Sequence, residues 1–299
     1  MLTLGMAASS TMAGPAPDDA LVATLRAAGC VFAEDEAALL AREAGDEAAL
    51  AAMVARRVAG EPLEQVLGFA EFLGLRVAVE PGVFVPRLRT TLLARRAIRA
   101  LEPGDLAVDL CCGTGAIGVA LLAAVPGAEV HAADIDPAAV RCARRNLPPD
   151  RVHEGDLYDA LPGELRGRVA VVVANAPYVP TGAIATMPPE ARDHEHRVAL
   201  DGGADGLEVA RRVIAGARPW LAPGGRVLVE TSAAQRDLAA AHVVAAGLDV
   251  TVASAADVDG NVVIGRLHPE RLSPERLSPE QLSPGQLSPG QLSPGRPRC

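Results

Sequence analysis

The chain predicts an α/β fold: a largely parallel sheet with helices on both faces, preceded by a small helical domain. Three observations carry this. From Asp105 onward, short apolar runs alternate with segments of helical periodicity. Val169 to Ala174 reads VAVVVA, apolar at every position, as a strand covered on both faces requires. Upstream, Leu21, Val22, Leu25 and Ala28 recur at helical spacing, as do Leu50, Met53, Val54 and Val58.

Taken in order, residues 1–17 are small and apolar without a positively charged start. They are expected to be a disordered leader and not a signal peptide. Residues 18–68 form the helical domain. Asp18 or Asp19 is its first N-cap, and Gly29 and Gly45 separate three short helices whose Glu and Arg are expected on a solvated surface. Residues 69–104 hold a short strand pair turning at Gly74, a proline-bounded segment from Pro81 to Pro86, and a linker helix from about Thr90 to Ala100. Residues 105–267 carry the strand–helix alternation. Its last two strands, Leu248–Ala253 and Asn261–Leu267, have no helix between them and must pair antiparallel. Residues 268–299 are low complexity, with RLSPE twice and QLSPG three times. A proline every fifth residue and one apolar residue per unit predict a disordered tail.

Composition narrows the function. The 299 residues carry a formal charge of -9, which supplies no general attraction to phosphate backbones and counts against a nucleic-acid partner. Five cysteines without a C-x-x-C spacing predict neither a disulfide framework nor a metal site, and point to a reducing cytoplasm. No apolar run is long enough to span a bilayer.

The chemistry is concentrated at two strand ends. Asp109-Leu-Cys-Cys-Gly113-Thr-Gly115-Ala-Ile-Gly118 joins a strand to a helix, where glycines let the backbone turn tightly and approach a ligand. Asp134 ends the next strand, 21 residues after Gly113, where a carboxylate suits ribose hydroxyls. Asp109 just before the turn suits a ligand bearing an ammonium and a sulfonium and disfavours a pyrophosphate. The preference is therefore S-adenosylmethionine over a dinucleotide. Asp156, in Glu154-Gly-Asp156-Leu, is placed to accept the adenine amino hydrogen.

The second strand end is Asn175-Ala176-Pro177-Tyr178, directly after VAVVVA. A planar NH2 group is a poor nucleophile, because its lone pair is delocalised. Two acceptors, the Asn175 side-chain oxygen and the Ala176 carbonyl, can grip its hydrogens and aim the nitrogen. Pro177 stiffens the loop and Tyr178 offers a flat face for stacking. Catalysis of this kind is orientation in a dry pocket.

These motifs resemble the protein N5-glutamine methyltransferases that modify peptide-chain release factors. The likeness runs from about Leu25 to Leu267. It includes Gly60-Glu-Pro-Leu-Glu-Gln-Val-Leu-Gly68, Val83-Phe-Val-Pro-Arg87, the glycine turn, Asn175 to Tyr178 (similar to N-P-P-Y), Ala199 to Leu207 and Leu221 to Gly225. The resemblance implies a seven-stranded, Rossmann-like class I S-adenosylmethionine-dependent methyltransferase domain with a helical substrate-binding domain. It further implies a protein substrate, the glutamine of a release factor's Gly-Gly-Gln loop.

Three departures mark a divergent paralogue. Ala176 replaces the first proline of N-P-P-Y. Leu88-Arg89-Thr90-Thr91 lacks two carboxylates expected near the cofactor entrance. His196 stands in place of a proline. An adenine-N6 methyltransferase and a non-catalytic S-adenosylmethionine-binding relative are the alternatives.

Overall fold

A computed structural model describes residues 18–269. The expectations for residues 1–17 and for the repeats from Arg271 lie outside the described residues. The helical domain comprises α1 (Asp19–Ala27), α2 (Ala33–Glu43), α3 (Glu47–Val58) and α4 (Leu63–Leu67). Asp18 caps α1 by accepting from Ala20 N, and Asp46 caps α3 by accepting from Ala49 N. Leu25, Ala33, Ala37 and Leu40 are fully buried at its centre. One expectation fails here. The charges of this domain are not all solvated. Arg57 and Glu36 are buried side chains paired at 2.7 Å, because a charge turned into the helical domain must be paired to be buried.

Strands β1 (Phe69–Phe72) and β2 (Leu75–Ala78) form the antiparallel hairpin, turning through Leu73 and Gly74, both at positive φ. Helix α5 (Thr90–Ile98) follows. The main sheet has seven strands in the order β5-β4-β3-β6-β7-β9-β8. They are β3 (Leu106–Leu110), β4 (Glu129–Asp134), β5 (Val152–Glu154), β6 (Val169–Ala174), β7 (Leu221–Glu230), β8 (Asp249–Ala255) and β9 (Gly260–Arg266). The first five are parallel to one another, and β9 is antiparallel to both β7 and β8. Strand β7 pairs with β6 across a register shift between Val169 and Val171.

Side chains alternate between two cores. Val169, Val172 and Ala174 of β6 face α9 (Glu208–Gly216) and α10 (Arg236–Ala245), whereas Val171 and Val173 face α5 and α6 (Ala116–Ala124). Each fully buried valine contributes roughly 2 kcal/mol, so six consecutive apolar residues hold the middle of the sheet. Helix α7 (Pro137–Asn146) covers β4 and β5 through Val140 and Ala143. The short α8 (Pro189–His194) lies beyond the C-terminal ends of the strands. Among the described residues no helix is long and apolar enough to cross a membrane. The carboxyl ends of β3 and β6 are neighbours, with Leu110 beside Ala174, so the two loops that carry the motifs open on one crevice.

Candidate active site

That crevice is a cavity of about 860 Å³. It is lined by Gly113, Asp134, Asp136 and Asp156 on the glycine-turn side and by Asn175, Ala176, Pro177 and Tyr178 on the other. The two predicted sites thus form one chamber.

Asp134 organises the glycine turn. Its Oδ2 accepts from Gly113 N at 2.8 Å and its Oδ1 from Asp136 N at 2.9 Å. Burial pushes its carboxyl up, and these backbone donors pull it back down. Each oxygen keeps a further acceptor site for a ligand hydroxyl. Gly113 reaches φ +55°, which places its N–H on Asp134.

Two predicted cofactor residues do not line the cavity. Asp109 is fully buried in the sheet, with Oδ2 accepting from Gly118 N at 3.0 Å and Oδ1 without a partner. Burial raises its carboxyl to about 8, so it is largely protonated and offers a ligand no charge. It anchors the start of α6 because β3 is covered on both faces. Gly115, at φ +77°, serves packing: a Cβ there would meet Leu147 Cδ1 at 2.8 Å. Asp156 does line the cavity, but its Oδ2 is engaged by Arg212 at 2.6 Å, leaving Oδ1 for a ligand.

The residues present fit S-adenosylmethionine. Three carboxylates, Asp134, Asp136 and Asp156, surround the glycine turn and suit a cationic ligand, and Ile117, Ile135 and Leu157 supply apolar wall. The charge argument made for Asp109 is not carried by that residue; the aspartates that line the cavity beside the glycine turn are Asp134, Asp136 and Asp156. Asp134 suits the ribose. Among the described residues no cluster of potential metal ligands occurs.

On the acceptor side, Asn175 Nδ2 reaches Thr90 Oγ1 at 3.4 Å. Ala176 is buried in the core. Gln235 fastens the end of this loop, its Nε2 donating to Tyr178 O at 2.9 Å and to Asp205 O at 3.0 Å. Burial is the main cause pushing the Tyr178 hydroxyl up to about 12, with Glu230 adding to it. Of the two positions where a carboxylate was missed, only Arg89 lines the cavity. Thr91 is buried with its hydroxyl on Leu88 O at 2.7 Å.

Several residues escaped the sequence reading. Glu195 is buried and ion-paired to Arg87, and also accepts from Val85 N at 3.1 Å. Arg57 binds Glu190 on α8 at 2.7 Å, and Gln65 Nε2 donates to both Val83 O and His194 O at 3.1 Å. His196 Nδ1 meets Asp136 Oδ2. All act across long sequence separations, which local pattern does not reveal. Gln65 and Arg87 lay within quoted motifs and His196 stood out as a departure from one, but none of these signals named a partner.

Comparison with known proteins agrees with this geometry. The family described as "Methyltransferase small domain" matches residues 75–188. The release factor glutamine methyltransferase of Streptomyces coelicolor is 44% identical over 184 residues, covering 60% of this chain and 65% of that enzyme, just under two thirds of its length. That of Mycolicibacterium smegmatis is 40% identical over 233 residues, covering 71% and 82%. A Streptomyces pristinaespiralis protein named 4-amino-L-phenylalanine/4-methylamino-L-phenylalanine methyltransferase is 42% identical over 186 residues, covering 59% and 63%. A Pyrococcus furiosus methyltransferase structure shares the fold, at a TM-score of 0.50 and 16% identity over 66% of this chain and 91% of that one. With a glycine turn, an Asp134 latch and an Asn-Ala-Pro-Tyr loop facing one cavity, and with relatives matched over most of their length, the chain belongs to the release factor glutamine methyltransferase family.

Proposed function

We propose that the protein methylates the side-chain amide nitrogen of a glutamine, that of the Gly-Gly-Gln loop of a peptide-chain release factor, using S-adenosylmethionine. The observation that carries this reading is the shared cavity, in which Asn175 to Tyr178 stand across from Gly113 and Asp134. Bound S-adenosylmethionine supplies an electrophilic methyl on a sulfonium. The protein's own part is to hold the acceptor. The Asn175 oxygen and the Ala176 carbonyl take the two amide hydrogens, which keeps the nitrogen from turning away. Tyr178, neutral throughout the working range, offers its ring face. The buried apolar floor under the loop excludes water, so the methyl has one nucleophile available. No strong base is needed before transfer, because the proton leaves after the methyl arrives.

The test is incubation with labelled S-adenosylmethionine and a release factor, with mass mapping of the product. Label on the Gly-Gly-Gln glutamine is expected; label absent from protein rejects the reading.

A second reading has its own observation. Arg89 lines the cavity and, among the described residues, forms no ion pair within 4.0 Å, whereas Arg87, Arg197 and Arg212 all have carboxylate partners. An acceptor with its own carboxylate, such as an amino-acid aromatic amine, would satisfy it, as the name of the Streptomyces pristinaespiralis relative suggests. The same assay with 4-amino-L-phenylalanine separates the two.

A further inference from the structure

An asparagine side chain has two orientations that exchange oxygen and nitrogen, and only one presents an acceptor to an incoming N–H. At Asn175 the nitrogen is turned to Thr90 Oγ1, at the long distance of 3.4 Å. Thr90 is buried on the first turn of α5. Close to it lies Glu230, the last residue of β7, which neighbours β6 through Val229 and Ala174. Glu230 is 1% exposed; neither of its oxygens has a hydrogen bond of ordinary geometry, and the hydroxyls of Thr90 and Tyr178 are the donors that face them. A buried carboxyl left in this state costs stability. It therefore asks for a functional account.

The donor inventory gives one. A carboxylate only accepts. When Thr90 turns its single hydroxyl hydrogen toward Glu230, its oxygen is left as an acceptor. The donor available to it is the Asn175 NH2, so the Asn175 oxygen must face the other way, into the cavity.

We propose that Glu230, acting through the Thr90 hydroxyl, is a positioning residue that fixes the Asn175 side chain with its oxygen toward the methyl acceptor. The proposal rests on the reading of Asn175 as the acceptor of an amide hydrogen. It adds what sets that orientation.

The same arrangement is sensitive to protonation. Burial pushes the Glu230 carboxyl up to about 7, against the opposing influence of Thr90, Arg89 and Tyr178. Arg89 and Tyr178 are the charged and titratable groups that face it, and β9 sets Val262 beside it. Once protonated, Glu230 can donate to Thr90 Oγ1. That frees the hydroxyl hydrogen for Asn175 and admits the reversed orientation.

The test uses the full chain and four proteins: wild type, Glu230→Gln, Thr90→Val and Thr90→Ser. With S-adenosylmethionine and a release factor, Glu230→Gln and Thr90→Val are expected to lose about tenfold or more in kcat. Their KM for S-adenosylmethionine should stay within about twofold, and Thr90→Ser should retain activity. Wild-type kcat should fall below about pH 7, and Glu230→Gln should lack that limb. A second arm needs no turnover. The Asn175 NH2 resonances should titrate near pH 7 in the wild type and stay flat in Glu230→Gln and Thr90→Val. Unchanged kcat in Thr90→Val, or NH2 resonances that titrate alike in all four, overturns the proposal. Should Glu230→Gln not fold, the two Thr90 variants decide. Activity retained by Asn175→Ala would instead sink the acceptor-site reading, while the resonance arm still reports on Glu230.

Discussion

His196 Nδ1 lies 2.6 Å from Asp136 Oδ2, tying the segment after α8 to the N-cap of α7. Asp136 Oδ1 accepts from Ala138 N, so one carboxylate both starts the helix and holds the strap. The strap is seated on Gly82, whose carbonyl accepts from His196 N at 2.8 Å and whose missing Cβ would lie 2.5 Å from His196 Nε2. His196→Ala should raise the KM for S-adenosylmethionine about two- to fivefold, the range of one half-exposed pair worth ~0.5–1 kcal/mol. Gly82→Ala should do the same by displacing the ring. Steady-state kinetics at saturating acceptor checks both, and an unchanged KM in both removes the strap from cofactor binding.

Asn175→Ala should lower kcat by about 10²–10³, the usual loss when one oriented catalytic hydrogen bond is removed. S-adenosylmethionine affinity by calorimetry should move by less than about threefold, because the side chain's hydrogen bond is to Thr90 and not to the glycine turn.

Asp134→Ala should weaken S-adenosylmethionine binding by about tenfold or more. The ribose loses its acceptor, and the Gly113 and Asp136 N–H groups lose theirs. The variant should also melt lower without ligand. Unchanged calorimetric affinity would remove Asp134 from the cofactor site.

Arg57→Ala should cost about 3 kcal/mol of stability by denaturant melting, because it leaves Glu36 buried without its partner. The double change Arg57→Met with Glu36→Leu should recover most of it. Equal losses in the single and double variants would show that the pair's charge is not the cause.

Asp109 gives the pH dependence. Burial raises its folded-state carboxyl to about 8 from an ordinary value near 3.8, so the folded state holds this proton more tightly than the unfolded state. Its contribution to stability is fully present below about pH 4 and is lost as pH rises toward about 8. Asp109→Asn removes that slope. The melting temperature of the variant relative to wild type should therefore increase from pH 5 to pH 8. A constant difference would show that Asp109 does not titrate in this window.

What was legible in the sequence was what repeats or contrasts locally. VAVVVA marked β6 to the residue, because strand burial is written in neighbouring residues. Gly113, Asp134 and Asn175 were legible as cavity-lining positions because they sit at or just beyond strand ends, where a sheet of this order opens on its crevice. Asp109 and Gly115 were misjudged because sequence adjacency to a ligand turn does not say which way a side chain leaves a pleated strand. Asp109 shares the sheet face of Ala107, toward α6. Glu230, Gln235 and Arg57 were invisible because their partners lie far along the chain, and only folding brings them together.

The rim of the cavity is fastened from outside the sheet. Arg57 on α3 reaches Glu190, and Gln65 on α4 holds the carbonyls of both Val83 and His194. A fragment cut free after residue 68 would keep every strand yet lose the bolts of its own doorway. The helical domain thus holds up the rim of the cavity, and a truncated sheet domain is a poor stand-in for the whole chain.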